Sequence, residues 1–150
     1  MTTGHLVDVH VLLIRDGRLL LSKRRSADEF DGLWHLPAGK LEAGESATAA
    51  AAREANEETG VYIDPADLHH IHTAHVVGGG REPRLGLFFE VRLWTGEPTN
   101  REPDKCHELR WFALDALPDA IISYSAAGIG AHFTGATYSE QGWPASPRAR

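Results

Sequence analysis

Runs of apolar residues alternate with polar, Gly-punctuated breaks along most of the chain. Residues 6–14 are rich in Val, Leu and Ile, the turn signal Arg15-Asp16-Gly17-Arg18 follows, and residues 19–22 resume the apolar run. This pattern predicts a β-hairpin. Residues 26–32 form a polar loop, and 33–44 are irregular. Residues 46–59 are rich in Ala and Glu without Gly or Pro, which predicts a helix with Ser46 as N-cap and Gly60 at its left-handed C-terminal cap. Ala47 and Ala49 to Ala52 leave little bulk in its first half, so the helix can lie close to neighbouring backbone. Residues 68–77 read as a strand, and Gly78, Gly79 and Gly80 as a flexible link. Residues 85–94 give the strongest strand, with Leu85, Leu87, Phe89, Val91 and Leu93 on one face. After a charged, Pro-rich loop over 95–105 come a short strand at 108–112 and a helix at 121–133, weakened by Gly128 and Gly130. Residues 141–150 read as a mobile tail. No repeat or linker splits the chain, so residues 1–140 are expected to form a single α/β domain.

The 150 residues are 42% hydrophobic, enough for one compact core. Acidic residues outnumber basic ones, 21 to 15, for a net charge of -6. That balance argues against non-specific adhesion to nucleic acid or to an anionic membrane, though not against a nucleotide ligand. Cys106 is the lone cysteine, which excludes an intrachain disulfide and favours a reducing compartment. The start of the chain lacks a signal-peptide pattern, and no apolar run approaches a membrane span. A cytoplasmic location is expected, and a homodimer is left open.

The chemistry concentrates between Gly39 and Val61. Each helical residue advances about 100°, so Glu57 and Glu58 flank Glu54 at about 60° and 40°. Three carboxylates therefore crowd one arc of the helix. Glu54 and Glu58 repel as an i,i+4 pair, which makes sense if a cation sits among them. Such hard oxygen ligands suit Mg²⁺ or Mn²⁺, whereas the plainer reading is a solvated acidic face. The glycine-rich loop before the helix lets backbone approach an ion or phosphate.

This segment resembles the Nudix box, G-x5-E-x7-R-E-U-x-E-E-x-G-U with U apolar. Gly39, Glu45, Arg53, Glu54, Glu57, Glu58 and Gly60 fill the fixed positions, and Ala55 and Val61 the apolar ones. The resemblance implies a Nudix-type α/β/α sandwich with a mixed β-sheet. It implies hydrolysis of a diphosphate bond in a nucleoside di- or triphosphate or related nucleotide, dependent on Mg²⁺ with Mn²⁺ as the alternative. Glu54, Glu57 and Glu58 would hold metal, with the Ala38 carbonyl as a further ligand; Pro37-Ala38-Gly39 departs mildly from the usual Gly-Gly. Arg53 would orient the carboxylates, Glu45 would brace the loop, and Gly39 and Gly60 would shape it. Glu54 is the first choice for general base, with Glu57 the alternative. Glu108 is the expected carboxylate from outside the box, with Glu102 as runner-up. Rival readings are a non-catalytic nucleotide sensor on the same fold, or a hydrolase of ADP-ribose, nucleotide sugars or dinucleoside polyphosphates.

Substrate residues are less legible. Trp34 and His35 could flank a base, against the plainer reading of a core Trp. Lys23, Arg24 and Arg25 could meet a phosphate tail. Asp119 could read a base or cap the last helix. His69, His70, His72 and His75 invite a metal reading, but alternation puts His70 and His72 on one face and His69 and His75 on the other, so they do not converge.

Overall fold

The computed structural model describes residues 4–78 and 81–144. Ten consecutive residues, Leu6–Arg15, form β1 at the centre of a mixed sheet. Its odd positions Val9, Val11 and Leu13 join one core cluster, while Leu12 and Ile14 join a second on the opposite face. A strand covered on both faces needs no polar alternation, which explains the apolar run from Val11 to Ile14. The hairpin forms as expected: β2 (Arg18–Arg24) runs antiparallel to β1 through a turn in which Asp16 and Gly17 adopt φ of 52° and 70°. Asp-Gly tolerates these left-handed conformations at low cost.

Two short strands follow, β3 (Trp34–His35) on β2 and β4 (Ala38–Lys40) on β1, where the sequence reads as irregular. Helix α1 spans Ala47–Thr59. Ser46 Oγ accepts the Ala49 N–H, and Gly60 closes the helix at φ 82°, as the cap residues predict. Ala50, Ala51 and Ala55 are fully buried against the odd face of β1, so the small residues do let the helix sit close to the sheet.

Beyond the helix, β5 (His69–Gly78) and β6 (Arg81–Val91) pair antiparallel, and β6 runs parallel to β1. The strand expected at 85–94 thus starts earlier and stops at Val91; Leu93 is exposed rather than on the apolar face. Gly79 and Gly80 of the expected link lie outside the described residues. β7 (Cys106–Ala113) joins β2, and α2 (Ser123–Thr134) covers the even face of β1. Gly128 is required there, because a Cβ would fall on the Phe88 ring. The result is an α/β/α sandwich with α1 and α2 on opposite faces of one mixed sheet. Among the described residues, no helix is long and apolar enough to cross a membrane.

Two expectations need correction. An eighth strand closes the sheet edge: β8 (Tyr138–Gln141) pairs parallel with β5, so the expected tail begins inside a strand. Trp143 Nε1 also donates to the His75 carbonyl at 3.0 Å, while residues 145–150 lie outside the described residues. The histidines are grouped differently on the two faces as well. A register shift between His70 and His72 inserts one extra residue. His69 and His72 then pair with Glu90 and Phe88, whereas His70 and His75 pair with Phe89 and Leu85 on the other face.

Candidate active site

The N–H groups of Thr99 and Arg101 explain how the site is assembled. Both donate to the last turn of α1, at the Thr59 and Glu58 carbonyls, over 2.9 and 3.1 Å. Helix C-termini leave carbonyls unpaired, so this loop satisfies two of them while docking beside the helix. The docking brings Glu102 to a cavity of about 520 Å³ that Glu54, Glu57 and Glu58 also line. Arg24, Arg25, Lys105 and His35 also line it, as do Ala38 and Gly39.

Arg53 organises the carboxylates from behind. Its Nε and Nη2 donate to both Glu45 oxygens at 3.0 and 2.8 Å, and its Nη1 donates to Glu54 and Glu57 at 2.9 and 3.2 Å. Nη2 also reaches the Lys40 carbonyl at 3.2 Å. Glu45 accepts the Glu42 N–H at 2.9 Å, which ties the loop to the helix. The paired guanidinium holds the Glu45 carboxyl below its ordinary range, first through the Arg53 hydrogen bonds.

Gly39 has a steric reason to be glycine. A Cβ there would fall on the Glu54 carboxyl group, so only a bare Cα lets that side chain cross the loop. Gly60 serves the other end of α1 as its left-handed cap. Ala38 donates its N–H to Glu58 Oε2 at 3.0 Å, which fixes the buried carboxylate against β4.

Charge is unevenly compensated in this cavity. Burial raises the Glu58 carboxyl well above its ordinary range, and the Glu54, Glu102 and Glu57 charges push it further. Glu54 is raised by burial too, although Arg53 opposes the shift. The carboxylates thus crowd together with one guanidinium behind them, and a hard divalent cation is the counter-charge that such oxygen donors suit. Among the described residues, no three such side chains already converge as a closed ion-holding group. Glu54, Glu57, Glu58 and Glu102 are hard oxygen donors of the kind that Mg²⁺ takes alongside water and phosphate oxygens.

Several expected site residues sit elsewhere. Glu108 faces Lys23 across the β2–β7 pair and binds Arg110 at 2.6 Å, away from the cavity, whereas the runner-up Glu102 lines it. Trp34 is 7% exposed and packs edge-on against Phe112 in the core, so it does not flank the cavity as a stacking surface. Asp119 is exposed and lines neither cavity described here; the N-cap of α2 is Ile122, which provides no side-chain acceptor. His35 does turn inward, with Nδ1 on the Leu36 carbonyl at 2.7 Å. Arg24 is held by Ser26 and Asp28 at 3.2 Å each.

A second cavity, of about 660 Å³, continues from the first across Arg24, His35, Ala38 and Gly39. It runs between β1 and the first turn of α2, past Asp8, His10, Arg84 and Tyr124. Arg84 donates twice to Asp8, at 2.7 and 3.1 Å, and the Tyr124 hydroxyl donates to the same carboxylate at 2.9 Å. These four residues were missed in the sequence, where the signal was Asp8 and His10 interrupting the apolar run of β1.

Comparison with known proteins agrees with this geometry. The family model of the NUDIX domain matches residues 4–129. An oxidized purine nucleoside triphosphate hydrolase from Danio rerio is 30% identical over 112 residues, covering 72% of this chain and 66% of its own length. Phosphatase NudJ from Escherichia coli K12 is 34% identical over 88 residues, 59% of this chain and 56% of its own. An octanoyltransferase from Myxococcus xanthus shares 44% over 70 residues, 47% of this chain but 19% of its own length. The chain thus spans from about a fifth to two thirds of the curated relatives it matches. Among solved structures, a MutT NUDIX hydrolase from Burkholderia pseudomallei superposes with a TM-score of 0.78 at 30% identity, over 85% of this chain and 98% of that one. With the family model covering most of its length, and with Gly39, Glu54, Glu57 and Glu58 lining one cavity, the chain belongs to the Nudix hydrolase family.

Proposed function

We propose that the chain hydrolyses a diphosphate bond in a nucleoside di- or triphosphate, with water attacking phosphorus in the cavity between α1 and the 95–105 loop. One observation carries the reading: Glu54, Glu57, Glu58 and Glu102 line the same cavity as Arg24, Arg25, Lys105 and Gly39. Its carboxylates suit a divalent cation, and its cations suit phosphate oxygens. The Danio rerio relative is named for hydrolysis of oxidized purine nucleoside triphosphates, which supports a nucleoside triphosphate as the substrate class.

Glu54, Glu57, Glu58 and Glu102 would hold Mg²⁺, or Mn²⁺ in its place. The ion supplies Lewis-acid neutralisation of the phosphate charge. Arg25 and Lys105 bind and orient the phosphate chain, beside Arg24, which Asp28 holds. Glu54 takes the proton from the attacking water, with Glu57 as the alternative base. The P–O bond to the leaving phosphate then breaks, and the bridging oxygen leaves with the electron pair. Arg53 positions Glu54 and Glu57 through its fixed hydrogen bonds and touches no substrate. The second cavity, continuous with the first, is placed to take the organic part of the substrate.

The test is a panel of (deoxy)nucleoside triphosphates with Mg²⁺, alongside nucleotide sugars, ADP-ribose and dinucleoside polyphosphates. Glu57→Gln and Glu58→Gln are each expected to lower turnover at least about 100-fold. Near-normal rates in both would contradict the site. Nucleotide binding without any phosphate or pyrophosphate release by the unmodified protein would point to a sensor instead.

A further inference from the structure

His10 lies at an inward position of β1 with 4% of its surface exposed. Its ring stacks on Phe88 at 4.2 Å and meets Tyr124 edge-on at 4.5 Å. Among the described residues, neither ring nitrogen has a hydrogen-bond partner. Buried polar atoms are paired in the great majority of cases, so a buried imidazole with two unpaired nitrogens calls for a partner from outside the fold. The ring lines the second cavity, where such a partner can enter.

A second feature opens into the same space. The first turn of α2, Ser123 to Ser125, also lines this cavity. Its N-cap residue is Ile122, which makes no side-chain capping bond. First-turn amides lack intrahelical acceptors, so the helix offers N–H donors where His10 offers unpaired nitrogens. Burial keeps the imidazole neutral, with a pKa of about 3. It therefore carries one donor and one acceptor.

Charge narrows the ligand. Four carboxylates line this cavity against three cations, and Arg84 and Arg24 are already paired with Asp8 and Asp28. No cationic surplus remains for a second phosphate chain. An uncharged ring with its own acceptor and donor fits better.

We propose that His10 is a specificity-determining residue which, with the uncapped first turn of α2, recognises an uncharged heterocycle bearing a carbonyl next to a ring N–H. This rests on the reading of the second cavity as the site of the substrate's organic part. The carbonyl accepts from the helix amides or from the His10 N–H, and the ring N–H donates to a ring nitrogen of His10. Discrimination arises because a ring lacking these groups leaves buried polar atoms unpaired.

The experiment uses nucleosides without phosphate or metal, which separates this proposal from the hydrolytic chemistry. Inosine and purine riboside differ in the carbonyl and the adjacent N–H alone. Each is titrated against the full-length protein and against His10→Phe, with affinity read by ligand-observed NMR. The unmodified protein should bind inosine at least about tenfold tighter, the worth of roughly one buried hydrogen bond. His10→Phe keeps the ring stack and should bring the two affinities within about twofold. His10→Leu provides a smaller apolar side chain should Phe pack poorly, and circular dichroism confirms that each variant folds. Equal affinities in the unmodified protein, no binding of inosine, or a preference that survives in a folded variant would overturn the proposal. A protein that prefers inosine yet hydrolyses no nucleotide with Mg²⁺ would overturn the catalytic reading alone.

Discussion

Replacing His10 with Phe should flatten the acid side of the protein's stability profile. Burial lowers the His10 pKa from 6.5 to about 3, with the Asp8 charge opposing the shift only in part. The unfolded chain therefore takes up a proton near pH 6.5, whereas the folded chain resists it until about pH 3. Between those values the unfolded state binds more protons, so stability falls as the pH drops through that window. Each unit inside it costs up to about 1.4 kcal/mol. By pH 4.5 the loss reaches about 3 kcal/mol, a large share of the roughly 5–15 kcal/mol of a typical domain. The assay is urea unfolding at a series of pH values from 7.5 to 4.5, for the unmodified protein and His10→Phe. Carboxylates that titrate in both proteins cancel in the difference, and so does any constant packing offset. The difference should move by about 3 kcal/mol in favour of Phe across the series. Curves parallel to within about 0.5 kcal/mol would mean that His10 is not held neutral by burial, and the reasoning would fail.

Two glycines give sharper local tests. Gly39→Ala puts a Cβ on the Glu54 carboxyl, so Glu54 must move; turnover should fall about 100-fold with the circular dichroism spectrum unchanged. Gly128→Ala puts a Cβ on the Phe88 ring, and urea unfolding should show about 1–3 kcal/mol of destabilisation from overpacking, although Ala is the better helix former.

What could be read in advance was local. Helix α1, its Ser46 and Gly60 caps and the crowding of its glutamates follow from spacing within a short segment, and spacing survives folding. The hairpin at Asp16-Gly17 is local in the same way. The misreadings all involve distant partners. A single extra residue near His70 regrouped the histidines on the faces of β5, because a period of two turns any insertion into a flip. β8 exists because β5 offers it an edge, which residues 138–141 do not announce. Glu108 looked plausible on its strand, but Glu102 reaches the cavity because its loop docks onto the last carbonyls of α1. His10 was passed over within an apolar run. Its lack of partners could be known only once Phe88 and Tyr124 closed over it.

Glu58 offers a test of the ion site that does not depend on knowing the substrate. Its folded pKa is raised by burial and by the Glu54, Glu102 and Glu57 charges, so without an ion its ionisation opposes folding. At pH values below its ordinary pKa it is protonated in both states and there is no penalty. As the pH rises, the unfolded chain ionises first, and stability is lost across the window up to the folded value. A divalent ion that binds the ionised carboxylate offsets this penalty, so stabilisation by Mg²⁺ should grow as the pH rises through the same window. At about 100 times the dissociation constant, the ion adds about 2.7 kcal/mol, well resolved as a shift in thermal midpoint. Glu58→Gln keeps an oxygen to accept the Ala38 N–H but carries no charge. It should therefore be more stable than the unmodified protein in the absence of metal at neutral pH, and should gain much less from Mg²⁺. Equal gains in the two proteins would show that Glu58 does not bind the ion, and a midpoint unmoved by Mg²⁺ or Mn²⁺ at any pH would remove the ion from this cavity altogether.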